Sequence, residues 1–248
     1  MLMQVYCIDL LGYGWSDKPV TVEPVVLYNM NTWAQQLNDF IDDVVQSPVF
    51  FGGNSIGGIV ALQAAVKRLD LARGAFLLDL SVRGLHVKNQ TPLQRPFVSA
   101  FQWTLWNSPI GDFFFKSVAQ PNTVANVLKE AYYNSSHVTD ELVEALLQPG
   151  LLPNASRVFL DFLCYSGGPL PGELLEEVSC PVSMVWGVDD PWEEISKGRG
   201  FKRFPNVEEF IEIAQCGHCP QDEQPETVND YLIHFIERHA GNQKPVAA

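Results

Sequence analysis

The strongest constraint on the fold comes from a short apolar run that ends at a serine placed between glycines. Residues 49–53 are mostly apolar, and the pattern Gly-Asn-Ser-Ile-Gly at 53–57 overlaps their end. A helical stretch rich in alanine follows Ser55. A strand that turns sharply through a serine into a helix exposes that serine as a nucleophile. The competing interpretation is a glycine-rich turn in which Ser55 only caps the helix.

Short apolar runs alternate with helical patterns on both sides of this turn, which favours parallel β-α-β units. The predicted strands are residues 5–8, 49–53, 75–80, 181–186 and 209–214. Helices are predicted after Asn31 as the capping residue, over 55–69, and over 227–239.

The stretch between the third and fourth predicted strands has a different character. Residues 82–180 are helical in pattern, rich in aromatic residues and interrupted by prolines. We therefore predict an α/β core made of residues 1–81 and 181–240, with a mostly parallel sheet and helices on both faces. Residues 82–180 would form an inserted helical lid, and residues 241–248 a disordered tail.

Composition excludes several classes of protein. The chain is 46% hydrophobic, enough to bury a sizeable core, and its net charge of −13 repels the phosphate backbone of nucleic acids. It lacks a run of about eighteen apolar residues, so no transmembrane helix is predicted, and its first residues do not have the pattern of a leader peptide. The five irregularly spaced cysteines favour a reducing compartment over a disulfide framework.

One short cluster of cysteine and histidine could suggest a metal site. Residues 216–219 read Cys-Gly-His-Cys, but no second cluster of cysteine or histidine completes four zinc ligands. The sequence therefore predicts neither a metal nor a cofactor.

A serine nucleophile needs a base, and the base needs a carboxylate that orients it. His218 follows the last predicted strand in a Gly-His turn and is the favoured base, with a purely structural histidine as the alternative. The favoured carboxylate is Asp190, because it ends a strand region and Pro191 restricts its backbone. Asp189 is the competing candidate. The order serine, aspartate, histidine is that of one large hydrolase class.

These motifs carry a family resemblance. Residues 9–19, 53–57, 187–192 and 217–220 together resemble the α/β-hydrolase superfamily. Residues 166–171 (Ser-Gly-Gly-Pro-Leu-Pro) and 217–223 resemble, more narrowly, plant and algal chlorophyll dephytylases and pheophytinases. The resemblance implies Ser55 as nucleophile, Asp190 as acid and His218 as base. It also implies hydrolysis of the phytyl ester of chlorophyll-type pigments in the chloroplast.

The remaining expectations follow from that reaction. The backbone N–H of Ile56 would supply half of an oxyanion hole. A long apolar ester would be the partner and would need an apolar cleft. Aromatic residues of the lid would line the cleft or touch a thylakoid surface, with packing inside the lid as the alternative. The candidates are Phe101, Trp103, Trp106 and Phe113.

The chain also departs from the family pattern. We expect three strands and a His-Gly loop ahead of the first predicted strand, and the sequence contains neither. A truncated, poorly active chain is therefore predicted, unless residues 5–8 shift to pair with strand 49–53. A non-catalytic hydrolase-like protein is the rival hypothesis. A dehalogenase or epoxide hydrolase is disfavoured because such enzymes usually carry aspartate where Ser55 stands.

Overall fold

The sheet brings the carboxyl ends of all its strands to one edge. The computed structural model describes residues 3–20 and 27–241. Four strands pair in the order β1-β2-β3-β4, each parallel to the next. They are β1 (Val49–Asn54), β2 (Ala72–Leu78), β3 (Val182–Gly187) and β4 (Val207–Ile213). Loops that follow the strands therefore gather at a common edge, where α/β proteins place their sites.

Helices cover both faces of the sheet and fill the connection between β2 and β3. Before β2 lie α1 (Met30–Phe40), which continues into a π-helical turn (Ile41–Val45), and α2 (Ile56–Lys67). Between β2 and β3 lie α3 (Gln94–Asn107), α4 (Pro109–Val118), α5 (Pro121–Ala131), α6 (Asp140–Gly150), α7 (Ala155–Leu163) and α8 (Pro171–Glu177), with a 3-10 turn at Ser135–His137. After β3 come α9 (Ile195–Gly198), a 3-10 turn at Arg199–Arg203, α10 (Pro220–Glu223) and α11 (Pro225–Ala240).

The core divides along the alternation of side chains in the strands. Leu77 and Met184 are fully buried on the face covered by α2. Phe76 and Val185, each adjacent to one of these residues in the same strands, pack with Phe235 of α11 on the other face. Each large apolar side chain buried in this way contributes about 1.5–3 kcal/mol, so both faces hold the sheet in place.

The four later predicted strands are confirmed, with ends displaced by no more than three residues. The predicted helices at 55–69 and 227–239 correspond to α2 and α11. The predicted cap of the first helix is wrong by two residues. Asn29 is the cap, and its side chain accepts hydrogen bonds from the N–H groups of Asn31 and Thr32.

The predicted first strand at residues 5–8 is wrong. No strand is present there, and Val5 and Tyr6 are exposed. The Tyr6 ring packs on Phe40 of α1 at 5.3 Å between ring centroids, and β1 pairs only with β2 within the described residues. The proposed shift of residues 5–8 onto β1 is therefore also wrong. β-propensity reflects packing against neighbouring strands, and this segment contacts a helix instead.

The predicted tail, apart from Gly241, lies outside the described residues. Among the helices of the described residues, none is both long enough and apolar enough to cross a membrane.

Candidate active site

Ser55 occupies a strained turn between β1 and α2. Its backbone angles are φ 53° and ψ −119°, a region that non-glycine residues rarely adopt and that costs about 1–3 kcal/mol. Hydrogen bonds on both sides hold the strain, since its N–H donates to Leu78 O at 2.9 Å and its carbonyl accepts from Gly58 N–H at 3.1 Å. The half-buried Ser55 thus stands at the carboxyl edge of the sheet, directly before the first residue of α2.

The glycines of this turn are not equivalent. A Cβ on Gly53 would stand 2.3 Å from the carbonyl carbon of Gly57, so no side chain fits there. A Cβ on Gly57 would meet nothing within 4 Å. The close approach of α2 to the end of β1 therefore requires the first glycine of the motif and not the second.

Asp190 and His218 form a buried pair at the same edge of the sheet. The Nδ1 atom of His218 lies 2.8 Å from Oδ2 of Asp190. The other carboxylate oxygen accepts from the N–H groups of Trp192 (2.8 Å) and Glu193 (3.0 Å). Burial by itself would raise the pKa of Asp190, but hydrogen bonds from His218 and the Glu193 N–H outweigh it and lower that pKa below its ordinary value. The carboxylate is therefore charged and fixed on one ring nitrogen.

The competing carboxylate has a different partner. Asp189 is exposed, and its Oδ2 accepts from the N–H of Gln215 at 3.1 Å. Asp190, rather than Asp189, thus contacts His218. The catalytic roles assigned to Ser55, Asp190 and His218 remain predictions.

Contacts with several parts of the chain hold the loop that carries His218. Its backbone N–H donates to the carbonyl of Ala131, at the end of α5, at 2.9 Å. Its ring packs on Trp192 at 4.9 Å between centroids. A Cβ on Gly187 would stand 2.0 Å from the carbonyl oxygen of Gly217, so the loops after β3 and β4 touch backbone to backbone. This close approach places Asp190 within reach of His218.

Asp79 belongs to the same cluster, although sequence reasoning did not select it. It follows β2, has a φ of 39° and is fully buried. Its Oδ1 accepts from the N–H of Gly187 at 3.0 Å. Burial, followed by the neighbouring Asp190, raises the pKa of Asp79 to about 10. The available signal was an aspartate directly after an apolar strand of a parallel sheet.

Sequence reasoning also missed two buried glutamates, and each accepts a hydrogen bond from a backbone N–H group of residues 82–180. Glu193 accepts from the hydroxyl of Ser81 at 2.7 Å and from the N–H of Val82 at 3.1 Å. Glu223 accepts from the N–H of Gly217 at 2.7 Å and from that of Asn134 at 3.2 Å. Ser81, Val82 and Asn134 lie 89 or more residues from their glutamates along the chain, so no local pattern predicts these contacts.

The predicted lid aromatics separate into two groups. Trp106 is half-buried: its indole N–H donates to Asp161 at 2.6 Å, and the guanidinium of Arg157 lies 3.6 Å from its ring centroid. Phe101, Trp103 and Phe113 are more than half exposed.

Ile56 is the first residue of α2, where helix N–H groups lack partners within the helix, as the oxyanion prediction requires. Within the described residues, side-chain atoms of the types that can bind a metal ion come together at Asp79, Asp190 and His218. Neither cysteine of the 216–219 segment joins them.

Comparison with known proteins shows the family of this chain. Residues 3–231 match the sequence model of the Alpha/beta hydrolase family, and the chain belongs to that family. More particularly, it is 28% identical over 239 residues to the chloroplastic pheophytinase of Arabidopsis thaliana, with 92% of this chain aligned. The chain spans about half of that relative, 49% of its length.

Solved structures show the same fold. A serine hydrolase involved in carbazole degradation superposes with a TM-score of 0.69 at 19% identity, covering 93% of this chain and 78% of that one. A thermophilic esterase from Thermogutta terrifontis superposes with a TM-score of 0.67 at 22% identity, covering 93% and 79%.

Proposed function

We propose that this chain is a serine hydrolase that cleaves a carboxylic ester through Ser55. The observation that carries the proposal is the buried Asp190–His218 pair, at the sheet edge where the strained turn presents Ser55. A serine is a weak nucleophile until a base removes its proton, and a carboxylate on the far ring nitrogen sets the tautomer of that base.

In this mechanism the Oγ of Ser55 attacks the ester carbonyl while Nε2 of His218 takes its proton. Asp190 stays ionised and stabilises the imidazolium through Nδ1. The N–H of Ile56 donates to the oxyanion. Collapse of the intermediate releases the alcohol, which takes the proton from His218. A water molecule activated by His218 then hydrolyses the acyl-enzyme and regenerates Ser55.

The proposed substrate is the phytyl ester of chlorophyll or a derivative, and the proposed location is the chloroplast. The similarity to the Arabidopsis pheophytinase supports this choice, as does the motif similarity at residues 166–171 and 217–223. In this proposal residues 82–180 act as the lid over a core of residues 1–81 and 181–240. The exposed Phe101, Trp103 and Phe113 would touch the thylakoid surface from which an apolar pigment arrives.

Two assays test the proposal. A fluorophosphonate probe should label the wild-type chain and leave Ser55→Ala unlabelled, because only an activated serine reacts. Labelling that persists in Ser55→Ala would refute Ser55 as the nucleophile. An unlabelled wild-type chain would favour the rival hypothesis of a non-catalytic protein. Turnover of pheophytin should then exceed that of a short acetyl ester. A preference for the short ester would leave the hydrolase and remove the pigment substrate.

A further inference from the structure

Two carboxyl groups lie side by side in the interior next to His218. The side chains of Asp79, Asp190 and His218 bring ligand-type atoms within 4.8 Å of one another. Both oxygens of Asp190 accept hydrogen bonds, one from His218 and the other from two backbone N–H groups. Asp79 receives only the N–H of Gly187 on Oδ1. Its Oδ2 is buried and meets no donor among the described residues.

The surrounding groups do not neutralise a second charge. The titratable groups that act on the pair are His218, Glu193, Glu223, Cys216 and Cys219, and none of them is a permanent cation. Two carboxylates that share a dry site do not both ionise. Asp190 has three donors and keeps the charge, so the proton resides on Asp79.

We infer that Asp79 is a neutral carboxylic acid whose Oδ2–H donates to Asp190, and that it is a positioning residue which holds the Asp190 carboxylate on His218. A carboxylate has acceptor sites to spare beyond its three present donors. The Asp79 hydrogen bond therefore restrains rotation of the carboxylate without displacing His218. No proton leaves Asp79 during the reaction. The catalytic part of this inference rests on the proposed function.

Asp79→Asn distinguishes a neutral acid from a carboxylate at this position. The asparagine amide has the same shape as a carboxylic acid, and like that acid it can accept from the N–H of Gly187 and donate to Asp190. We expect Asp79→Asn to lower the rate of fluorophosphonate labelling by no more than about tenfold, whereas Asp190→Asn lowers it by about 10⁴-fold, as loss of an orienting carboxylate does. Above about pH 10, where Asp79 ionises, the labelling rate of the wild-type chain should fall reversibly. Asp79→Asn should retain its rate there, a difference that a purely structural role would not produce.

Infrared difference spectroscopy of the wild-type chain provides a readout that needs no variant and no activity. The carbonyl band of a protonated carboxylic acid should be present at neutral pH and disappear above about pH 10. Absence of that band at neutral pH, or a labelling loss in Asp79→Asn as large as in Asp190→Asn, would overturn the inference. An unlabelled wild-type chain that shows the band would instead overturn the proposed function and leave the neutral acid intact.

Discussion

The side-chain amide of Asn54 donates a hydrogen bond to the backbone carbonyl of His218 at 2.9 Å, across 164 residues of chain. Asn54 is the last residue of β1 and directly precedes Ser55. The strand that presents the proposed nucleophile is thereby fastened to the loop that presents the proposed base. A weaker bond to Leu78 O at 3.3 Å anchors the same amide to β2.

Asn54→Ala should therefore reduce turnover more than stability. Loss of a hydrogen bond costs about 1 kcal/mol, which corresponds to about a fivefold decrease in kcat/KM if it loosens the His218 loop. Steady-state ester hydrolysis measures the effect. Asn206→Ala is the matched control, because that amide also donates to two carbonyls, Leu175 O (3.0 Å) and Val178 O (3.1 Å), away from the site. The control should lower the Tm without changing kcat. Equal kcat/KM in Asn54→Ala and the wild-type chain would show that this bond does not position His218.

Asp190→Asn should lower kcat by about 10⁴-fold, because the amide no longer orients and stabilises the imidazolium of His218. Asp189→Asn should change kcat by about twofold or less, as exposed substitutions usually do. Both variants are compared by ester turnover under identical conditions. A crippled Asp189→Asn beside a mildly affected Asp190→Asn would reverse the assignment.

Gly53→Ala should destabilise the fold, whereas Gly57→Ala should be tolerated. The added Cβ at Gly53 would collide with the backbone of α2 at 2.3 Å, and overpacking of this kind costs about 1–3 kcal/mol. The same methyl at Gly57 meets open space. Urea unfolding of the two variants gives the comparison. Equal midpoints would mean that α2 does not approach β1 as closely as described.

The stability of the chain should fall as the pH rises, because of Asp79. An unfolded aspartate has a pKa of about 3.9. In the folded chain burial, together with Asp190, raises the pKa of Asp79 to about 10. Between these values the folded state holds a proton that the unfolded state releases, so the free energy of unfolding decreases by up to about 1.4 kcal/mol per pH unit.

Asp79→Asn removes that proton linkage, so its Tm should decline less steeply than that of the wild-type chain between about pH 5 and about pH 9. Asp189→Asn, on an exposed carboxylate, serves as the control and should follow the wild-type curve. Parallel curves for all three chains would show that Asp79 is ionised when folded.

Local patterns in the sequence determined much of the fold and part of the site. β2 and β3 were predictable as continuous apolar runs because both faces of the middle of a parallel sheet are buried, whereas β4, at one end of the strand order, has glutamates between its apolar residues. The turn at Ser55 was predictable because a sharp strand-to-helix turn needs small residues close by. His218 was a candidate because it follows a strand at the edge where loops converge.

Tertiary structure decided what local patterns left open. Residues 5–8 have strand-like composition, yet their contact is with Phe40 of α1 and not with a neighbouring strand. Asp189 and Asp190 are adjacent in sequence, and only the folded loop shows that Asp190 meets His218 while Asp189 accepts from Gln215. Burial, and after it a carboxylate more than a hundred residues away, raises the pKa of Asp79. Hydrogen bonding and desolvation act between groups that folding brings together, so they have no signature in any single stretch of the chain.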